Sequence, residues 1–235
     1  MAKLGKENFS VLKAQTRSSI DPMQNIAVKR VTKNILANVN FKYAEWEIVV
    51  FESSVPNAFA LPGGKIGINS GLFKYIHNDA ELAMVIAHEI AHIICCHVSE
   101  RYGREILKNG LGKALELTAK DEDLNEGFKL ISNVGMTLPY SRDQEYEADF
   151  IGMKLLSQAG YSPDAAITFF VNLKKISKSQ SFEFLSTHPL TIKRINALKR
   201  SLDEFQLLYH RSPTKRNKGW QYPNQNNENL KNLLL

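Results

Sequence analysis

Residues 88–92 read His-Glu-Ile-Ala-His, and this stretch decides the fold around it and the chemistry it can support. His88 and His92 are four residues apart, so on a helix their imidazoles lie on one face, close enough to bind one metal ion. The surrounding residues 82–96 are largely apolar, which predicts a buried helix whose few polar side chains need partners. Glu89 lies between the histidines, where it could take a proton from a water molecule at the metal. The pattern therefore predicts a zinc site with its own base.

A catalytic zinc site needs a third protein ligand, because such sites have three protein ligands and one open position. One common solution extends the pattern with a glycine and a further histidine shortly downstream. Here Cys95 stands in place of that glycine and Val98 in place of that histidine. The third ligand must therefore come from elsewhere in the chain.

A second predicted helix, starting near residue 141, supplies this ligand. Ser141 followed three residues later by Gln144 is a capping-box pattern, which marks a helix start. Glu145 then lies in the first turns, and Asp149 follows on the same face. We expect Glu145 to bind the metal and Asp149 to accept the free N–H of a ligand histidine. Glu147 is the alternative ligand. If it does not bind the metal, we expect it to be a surface glutamate in a salt bridge.

These segments resemble a known family in their order. The sequences HEIAH at 88–92, SRDQEYEAD at 141–149 and THP at 187–189, the last followed by Arg194-Ile195, are similar to the motifs of the membrane-associated zinc endopeptidases related to the CAAX prenyl protease, HtpX and BepA. The segment at 57–64, NAFALPGG, resembles a further motif of that family. The similarity is greatest to the Oma-type and BepA-like branch, and it covers most of the chain.

The resemblance implies roles for particular residues. His88, His92 and Glu145 would bind one Zn²⁺ ion, and Glu89 would act as the general base. His188 would lie on a mobile loop over the site, where it could approach the zinc and hold the enzyme latent. The alternative is that His188 only fills the turn before the next helix.

Two further features could contact a substrate. Arg194 could donate to a substrate carbonyl, or it could hold its own helix in place. Asn57, Ala58 and Phe59 open a predicted strand whose exposed edge beside the zinc could pair with an extended peptide. The alternative is that this strand only packs the sheet.

The expected fold class is α+β and mainly helical: a zincin-like metalloprotease domain with a small β-sheet. We expect an N-terminal extension at residues 1–20, the metallopeptidase domain at 21–210 and a polar, mobile tail at 211–235. Asp21-Pro22 predicts a helix start, and much of the apolar face of this helix is expected to consist of Met23, Ile26, Val31, Ile35 and Val39. Pro189 is expected to begin the last long helix. Residues 102–139 are the least readable stretch, either a lid or a peripheral helix pair.

The composition narrows the function classes. The chain has 235 residues, 43% of them hydrophobic, and a formal net charge of +6. No apolar run approaches a membrane span, residues 1–8 lack the core of a signal peptide, and no nucleic-acid motif is evident. The basic stretch 210–218 could touch acidic lipid at a membrane surface, or it could be a solvated tail. If an export segment has been removed, the resemblance implies a location in the cell envelope, periplasmic or membrane-associated, or its mitochondrial equivalent; otherwise the protein is expected to be soluble.

The cysteines are adjacent, and neighbours on a helix point in different directions, which disfavours a disulfide between them. Cys95 lies near the histidine face and could compete for metal, or it could be a small packing residue.

Together these features predict a zinc metalloendopeptidase for protein quality control, cleaving unfolded or damaged polypeptides in a membrane or envelope. The alternative is a latent or non-cleaving zinc-bound chaperone that binds unfolded chains. Retention of Glu89 argues against this alternative, because a structural zinc site needs no base.

Overall fold

The computed structural model describes residues 1–108, 138–176 and 183–223, which form a mainly helical fold with a small sheet. The strands are β1 (Glu47–Phe51), β2 (Ala58–Leu61) and β3 (Lys65–Asn69), followed by a 3-10 turn at Ser70–Lys74. The helices are α1 (Ala2–Gln15), α2 (Pro22–Leu36), α3 (Asp79–Ile94), α4 (His97–Lys108), α5 (Arg142–Gln158), α6 (Pro163–Ile176), α7 (Glu183–Thr187), α8 (Ile192–Arg200) and α9 (Leu202–Arg211). The expected α+β class with a small sheet is confirmed.

The three strands are ordered β1-β3-β2, with β1 parallel and β2 antiparallel to β3. Gly63 and Gly64 form the turn between β2 and β3 with φ values of +81° and +89°. Such values are readily adopted only by glycine, which explains the Pro-Gly-Gly sequence at this point. β2 lies at one edge of the sheet and packs against α3.

Helix α3 runs through the core, in contact with α2, α5, α6 and β2. Asn78 caps it by accepting hydrogen bonds from the N–H groups of Ala80 and Glu81, as the sequence predicts. Residues 79–93 of α3 are all buried. Gly152 lets α5 approach closely, because a Cβ there would lie 3.1 Å from the backbone nitrogen of His88. The packing of α3 on α5 therefore brings the two predicted ligand-bearing helices together.

Helix α2 starts at Pro22 with Asp21 as its cap, as predicted, but its predicted apolar face is only partly confirmed. Met23 and Ile26 are 48% and 55% exposed. Val31 and Ile35 are buried as predicted, and the other buried positions are Gln24, Ala27 and Val28. Their spacing follows the helical period, and the Gln24 side chain is accommodated because its carbonyl accepts a hydrogen bond from Ser19 Oγ at 3.1 Å.

The last long helix does not begin at Pro189. It starts at Ile192, because the Thr191 side chain accepts the N–H of Arg194 and caps the helix there. The helical stretch is then divided at Ser201 into α8 and α9.

Both ends of the described chain contact the rest of the fold. In α1, Phe9 is buried with its ring centroid 5.8 Å from that of Phe51. Near the other end, Trp220 and Tyr222 hydrogen-bond to Asp79 at the start of α3. The predicted domain boundaries stay predictions. Residues 109–137 of the possible lid, and residues 224–235 of the expected tail, lie outside the described residues.

Across the described ranges, no single helix is long and apolar enough to cross a membrane. One bent pair, Asp79–Ile94 with His97–Arg104, meets the requirement by length and composition only.

Candidate active site

Three predicted ligands converge between α3 and α5. His88 and His92 lie on one face of α3, and their Nε2 atoms are 3.0 Å apart. Glu145, in the first turn of α5, places Oε1 3.3 Å from His92 Nε2 and Oε2 3.7 Å from His88 Nε2. All three side chains are at most 1% exposed. The Ser141–Gln144 capping box, predicted from the sequence, sets the start of the helix that carries Glu145.

His188 adds a fourth donor to this group. It follows α7 directly, and its Nδ1 lies 3.0 Å from Glu145 Oε1 and 3.2 Å from His88 Nε2. His188 is itself 1% exposed, with its ring stacked on that of Phe184 at a centroid distance of 4.7 Å. In the described conformation the segment that carries His188 therefore lies over the site.

The four donors fit a zinc ion. The donor atoms of His88, His92, Glu145 and His188 all lie within 4.8 Å of one another. A tetrahedral site with ligands about 2.0–2.1 Å from zinc separates neighbouring donors by roughly 3.3 Å. Most of the separations given above are close to that value. Two or three nitrogens with one carboxylate oxygen are also the donor types that zinc prefers.

The protonation states favour metal binding as well. Burial lowers the pKa of His92 well below its usual value, and it also lowers the pKa of His188. Burial opposes the charge of Glu145, but its interactions with His188, His92 and His88 together outweigh this effect, so the pKa of Glu145 lies well below its ordinary value. Neutral imidazoles beside an ionised carboxylate are the forms in which these side chains bind a metal.

Glu89 lies beside the donors without joining them. It is fully buried, with Oε1 3.3 Å from His188 Nε2 but outside hydrogen-bonding geometry. Its pKa is raised to about 7, mainly by burial; the nearby Glu145 adds to the increase, whereas His88 and Arg101 oppose it. A carboxylate with a pKa near neutrality can both take and return a proton.

Asp149 and Arg194 support the donor group from behind. Asp149 Oδ1 lies 3.2 Å from His88 Nδ1, although the two atoms are not aligned for a hydrogen bond. Arg194 donates to both oxygens of Asp149, at 2.7 and 2.6 Å, and its Nη1 also contacts Glu145 Oε2. Nη1 further donates to the carbonyl of Pro189 at 3.0 Å. Arg194 thus joins α8, α5 and the loop that carries His188, and it is 3% exposed.

The predicted substrate-binding strand does lie at the sheet edge, but the expectation that its edge is exposed is wrong. Asn57, Ala58 and Phe59 are at most 2% exposed. The Phe59 ring covers Gly67 on β3, where a Cβ would lie 2.2 Å from the ring. Phe59 therefore packs the sheet. Asn57 Oδ1, in contrast, is buried without a hydrogen-bond partner.

Sequence reasoning did not assign Tyr140, which contacts the donor group, or Arg101, which contacts Tyr140. Tyr140 stacks on the ring of His92, with 3.6 Å between centroids. The guanidinium carbon of Arg101 lies 3.4 Å from the centroid of the Tyr140 ring. Both contacts join residues distant in sequence, so no local pattern could have indicated them.

His97 makes a third contact that sequence reasoning did not assign. Its Nδ1 lies 2.9 Å from His92 Nδ1, and its Nε2 lies 3.2 Å from Glu147 Oε2. Glu147 thus faces His97 rather than the donor group containing Glu145.

Comparison with known proteins gives a consistent result. The sequence model of peptidase family M48 matches residues 22–202, which include every predicted metal-site residue. The mitochondrial metalloendopeptidase OMA1 of Arabidopsis thaliana is 32% identical over 213 residues, covering 89% of this chain and 43% of the relative. The OMA1 of Schizosaccharomyces pombe is 35% identical over 183 residues, covering 77% of this chain and 53% of the relative.

A bacterial protein is also similar. The beta-barrel assembly-enhancing protease of Escherichia coli K12 is 28% identical over 189 residues, covering 74% of this chain and 38% of the relative. The chain therefore spans less than two thirds of the length of each of these relatives.

Proposed function

The chain belongs to peptidase family M48, and on this premise we propose that it is a zinc-dependent endopeptidase that hydrolyses peptide bonds within unfolded or damaged proteins. One observation carries the proposal: three predicted ligands and His188 converge beside a buried Glu89 whose carboxylate oxygens have no hydrogen-bond partner. A purely structural metal site has no need for an additional buried carboxylate next to it.

Each residue has a distinct role in this proposal. His88, His92 and Glu145 hold the zinc, which when bound supplies a Lewis acid that activates water and polarises the scissile carbonyl. Glu89 accepts the proton of the attacking water and later delivers it to the leaving amine. Asp149 orients His88 from behind, as expected for a carboxylate near the free nitrogen of a ligand histidine.

We assign Arg194 to holding this arrangement together rather than to substrate binding. Its bonds to Asp149 and to the Pro189 carbonyl, together with its near-complete burial, support the tethering role. A guanidinium engaged in this way has little freedom to reach a substrate carbonyl.

The described conformation is, in our proposal, a latent one. His188 takes the position that water and substrate need, and the edge strand at Asn57 is buried. An extended polypeptide could bind by main-chain pairing along β2 only after both segments move. A closed four-donor set also favours the second candidate, a zinc-bound module that binds unfolded chains without cutting them.

The substrates and the location follow from similarity alone. The relatives are named as a mitochondrial endopeptidase and as a protease that enhances beta-barrel assembly. We propose polypeptide substrates at a membrane or cell envelope, with contact to the membrane surface through basic residues such as those at 210–218.

Cleavage of casein, an unfolded protein, tests the proposal. We compare the zinc-loaded parent with Glu89→Gln and measure both cleavage and bound zinc. Loss of the base should reduce the rate about 10²–10⁴-fold while zinc binding is retained. Equal cleavage by both proteins would show that Glu89 is not the base.

Replacing His188 separates a latch from a catalytic group. If His188 keeps the site closed, His188→Ala should cleave casein faster than the parent, because the fourth position is freed. His210→Ala, which changes an exposed histidine, is the matched control. A large loss of activity would instead assign His188 a role in catalysis. Absence of cleavage by both the parent and His188→Ala, with zinc bound, would favour the binding module.

A further inference from the structure

We propose that Cys95, His97 and Glu147 form a second site for a zinc-class transition-metal ion, separate from the donor group at His88. Each of the three side chains offers one donor atom, and these atoms lie within 4.8 Å of one another. The site shares no ligand with the first group, so this proposal stands independently of the peptidase function.

The local backbone explains why these side chains meet. Cys95 is the C-cap of α3, and His97 is the first residue of α4. Cys96 between them has a φ of +59°, in the left-handed region, and the two helices meet at a bend of 57°. This sharp turn brings the thiol of Cys95 and the ring of His97 to the same side. Glu147 on α5 then faces both, with Oε2 at 3.2 Å from His97 Nε2.

The donor types select the class of metal. A thiolate, an imidazole and a carboxylate suit zinc and similar ions, whereas calcium and magnesium prefer oxygen ligands alone. Three protein donors also leave one coordination position for water.

The site is accessible to ions in solution. His97 is buried and Cys95 is half-buried, but the side chain of Glu147 is 57% exposed. An ion could therefore enter from the Glu147 side without passing through the protein core.

The Cys95 thiol keeps its proton at neutral pH when no metal is bound. Burial raises the pKa of Cys95 to about 12, and the neighbouring Glu147 contributes to this increase. The thiol is thus protonated and unreactive at neutral pH without a metal. A metal ion must displace that proton, so its apparent affinity should rise with pH.

A metal at this site would also join the elements that carry the first donor group. It would connect the end of α3 to α5, and His97 touches the ligand histidine His92 through their Nδ1 atoms at 2.9 Å. Because such outer contacts orient ligand histidines, occupation of the second site should affect the first.

Cobalt titration tests the proposal, because a thiolate bound to Co²⁺ gives a charge-transfer band in the near ultraviolet that nitrogen and oxygen ligands do not give. The full chain should bind cobalt with this band. Cys95→Ser should lose the band and one equivalent of cobalt, whereas Cys96→Ser, which changes the adjacent thiol, should keep both. Absence of the band in the parent, or its persistence in Cys95→Ser, would overturn the proposal.

Two further variants exclude misfolding and separate the sites. Glu147→Gln changes an exposed side chain, so the fold should persist. The affinity for the cobalt ion that gives the thiolate band should fall roughly tenfold or more. An unchanged affinity would remove Glu147 from the site and contradict the proposal. His88→Ala should lose the cobalt that gives no thiolate band but retain the band itself. Loss of the band in that variant would show that Cys95 belongs to the first donor group instead.

Discussion

The two ends of α3 treat buried charge in opposite ways. At its start, Asp79 is 2% exposed, and its carboxylate accepts hydrogen bonds from Arg30 at 3.1 and 2.7 Å. The same carboxylate also accepts from the backbone N–H of Trp220 and the hydroxyl of Tyr222. Ten residues further along the sequence, Glu89 is equally buried, yet neither of its oxygens has a hydrogen-bond partner.

This difference separates stabilising residues from candidate functional ones. A buried carboxylate without partners costs free energy, whereas one with several partners contributes to folding. The unpaired buried atoms near Glu89 also include Nε2 of His188 and the hydroxyl of Tyr140. Such a concentration is expected where the residues face a ligand rather than one another. We therefore expect substitutions at the two ends of α3 to affect different measurements.

The largest expected effect concerns the metal donors. Glu145→Gln removes the charged ligand from the group, and zinc affinity should fall by more than about 100-fold, since even outer-shell changes cost 10–100-fold. Zinc should also no longer raise the melting temperature of this variant, because that increase depends on binding to the folded state. Asp143→Asn, an exposed position of the same helix turn, is the control.

Dialysis against zinc with a competing chelator measures the zinc affinity of both variants. If Glu145→Gln retained the affinity of the parent while Asp143→Asn lost it, Glu145 would not be the third ligand.

The opposite end of α3 should affect folding instead. Asp79→Ala leaves Arg30 and Tyr222 without their shared acceptor, so the free energy of unfolding should fall by about 2–3 kcal/mol. Zinc affinity of the folded protein should remain close to that of the parent. Denaturant unfolding of the metal-free protein gives the stability, and zinc titration gives the affinity.

Asp164→Ala is the matched control for this change. Asp164 is an exposed acidic residue in the first turn of α6, so its replacement should cost less than about 1 kcal/mol. Equal destabilisation by the two variants would remove the distinction between the ends of α3.

The features that the sequence predicted correctly are those with short-range causes. The caps at Asn78 and Ser141 are examples, because each depends on residues two or three positions away. The convergence of Glu145 with the α3 histidines was also expected, but on the basis of motif order and resemblance. Its ligand role remains a proposal.

The features that sequence reasoning missed depend on tertiary contacts. The buried face of α2 includes Gln24, whose polarity is compensated by Ser19, while Ile26 is exposed. Individual hydrophobicity therefore misplaced Met23 and Ile26, although Val31 and Ile35 of the predicted face are buried. The stacking of Tyr140 on His92 joins α3 to the segment that precedes α5, and no periodic pattern indicates such a contact.

The smallest expected effect tests the contact of α5 on α3, which joins the helix packing to the donor group. In Gly152→Ala the new Cβ would lie 3.1–3.2 Å from backbone atoms of residues 87 and 88, which is tighter than ordinary contact. The helices must separate slightly, so we expect a loss of about 1–2 kcal/mol in stability. Because His88 and Glu145 lie on the two separated helices, zinc affinity should fall too.

Gly103→Ala in α4 is the matched control: its Cβ meets no atom within 4 Å, and the helix should gain up to about 1 kcal/mol. Calorimetry and zinc titration of both variants distinguish the cases. A destabilised Gly152→Ala with unchanged zinc affinity would mean that the donors adjust independently of the helix packing, and that the core and the site are less closely connected than their shared helices suggest.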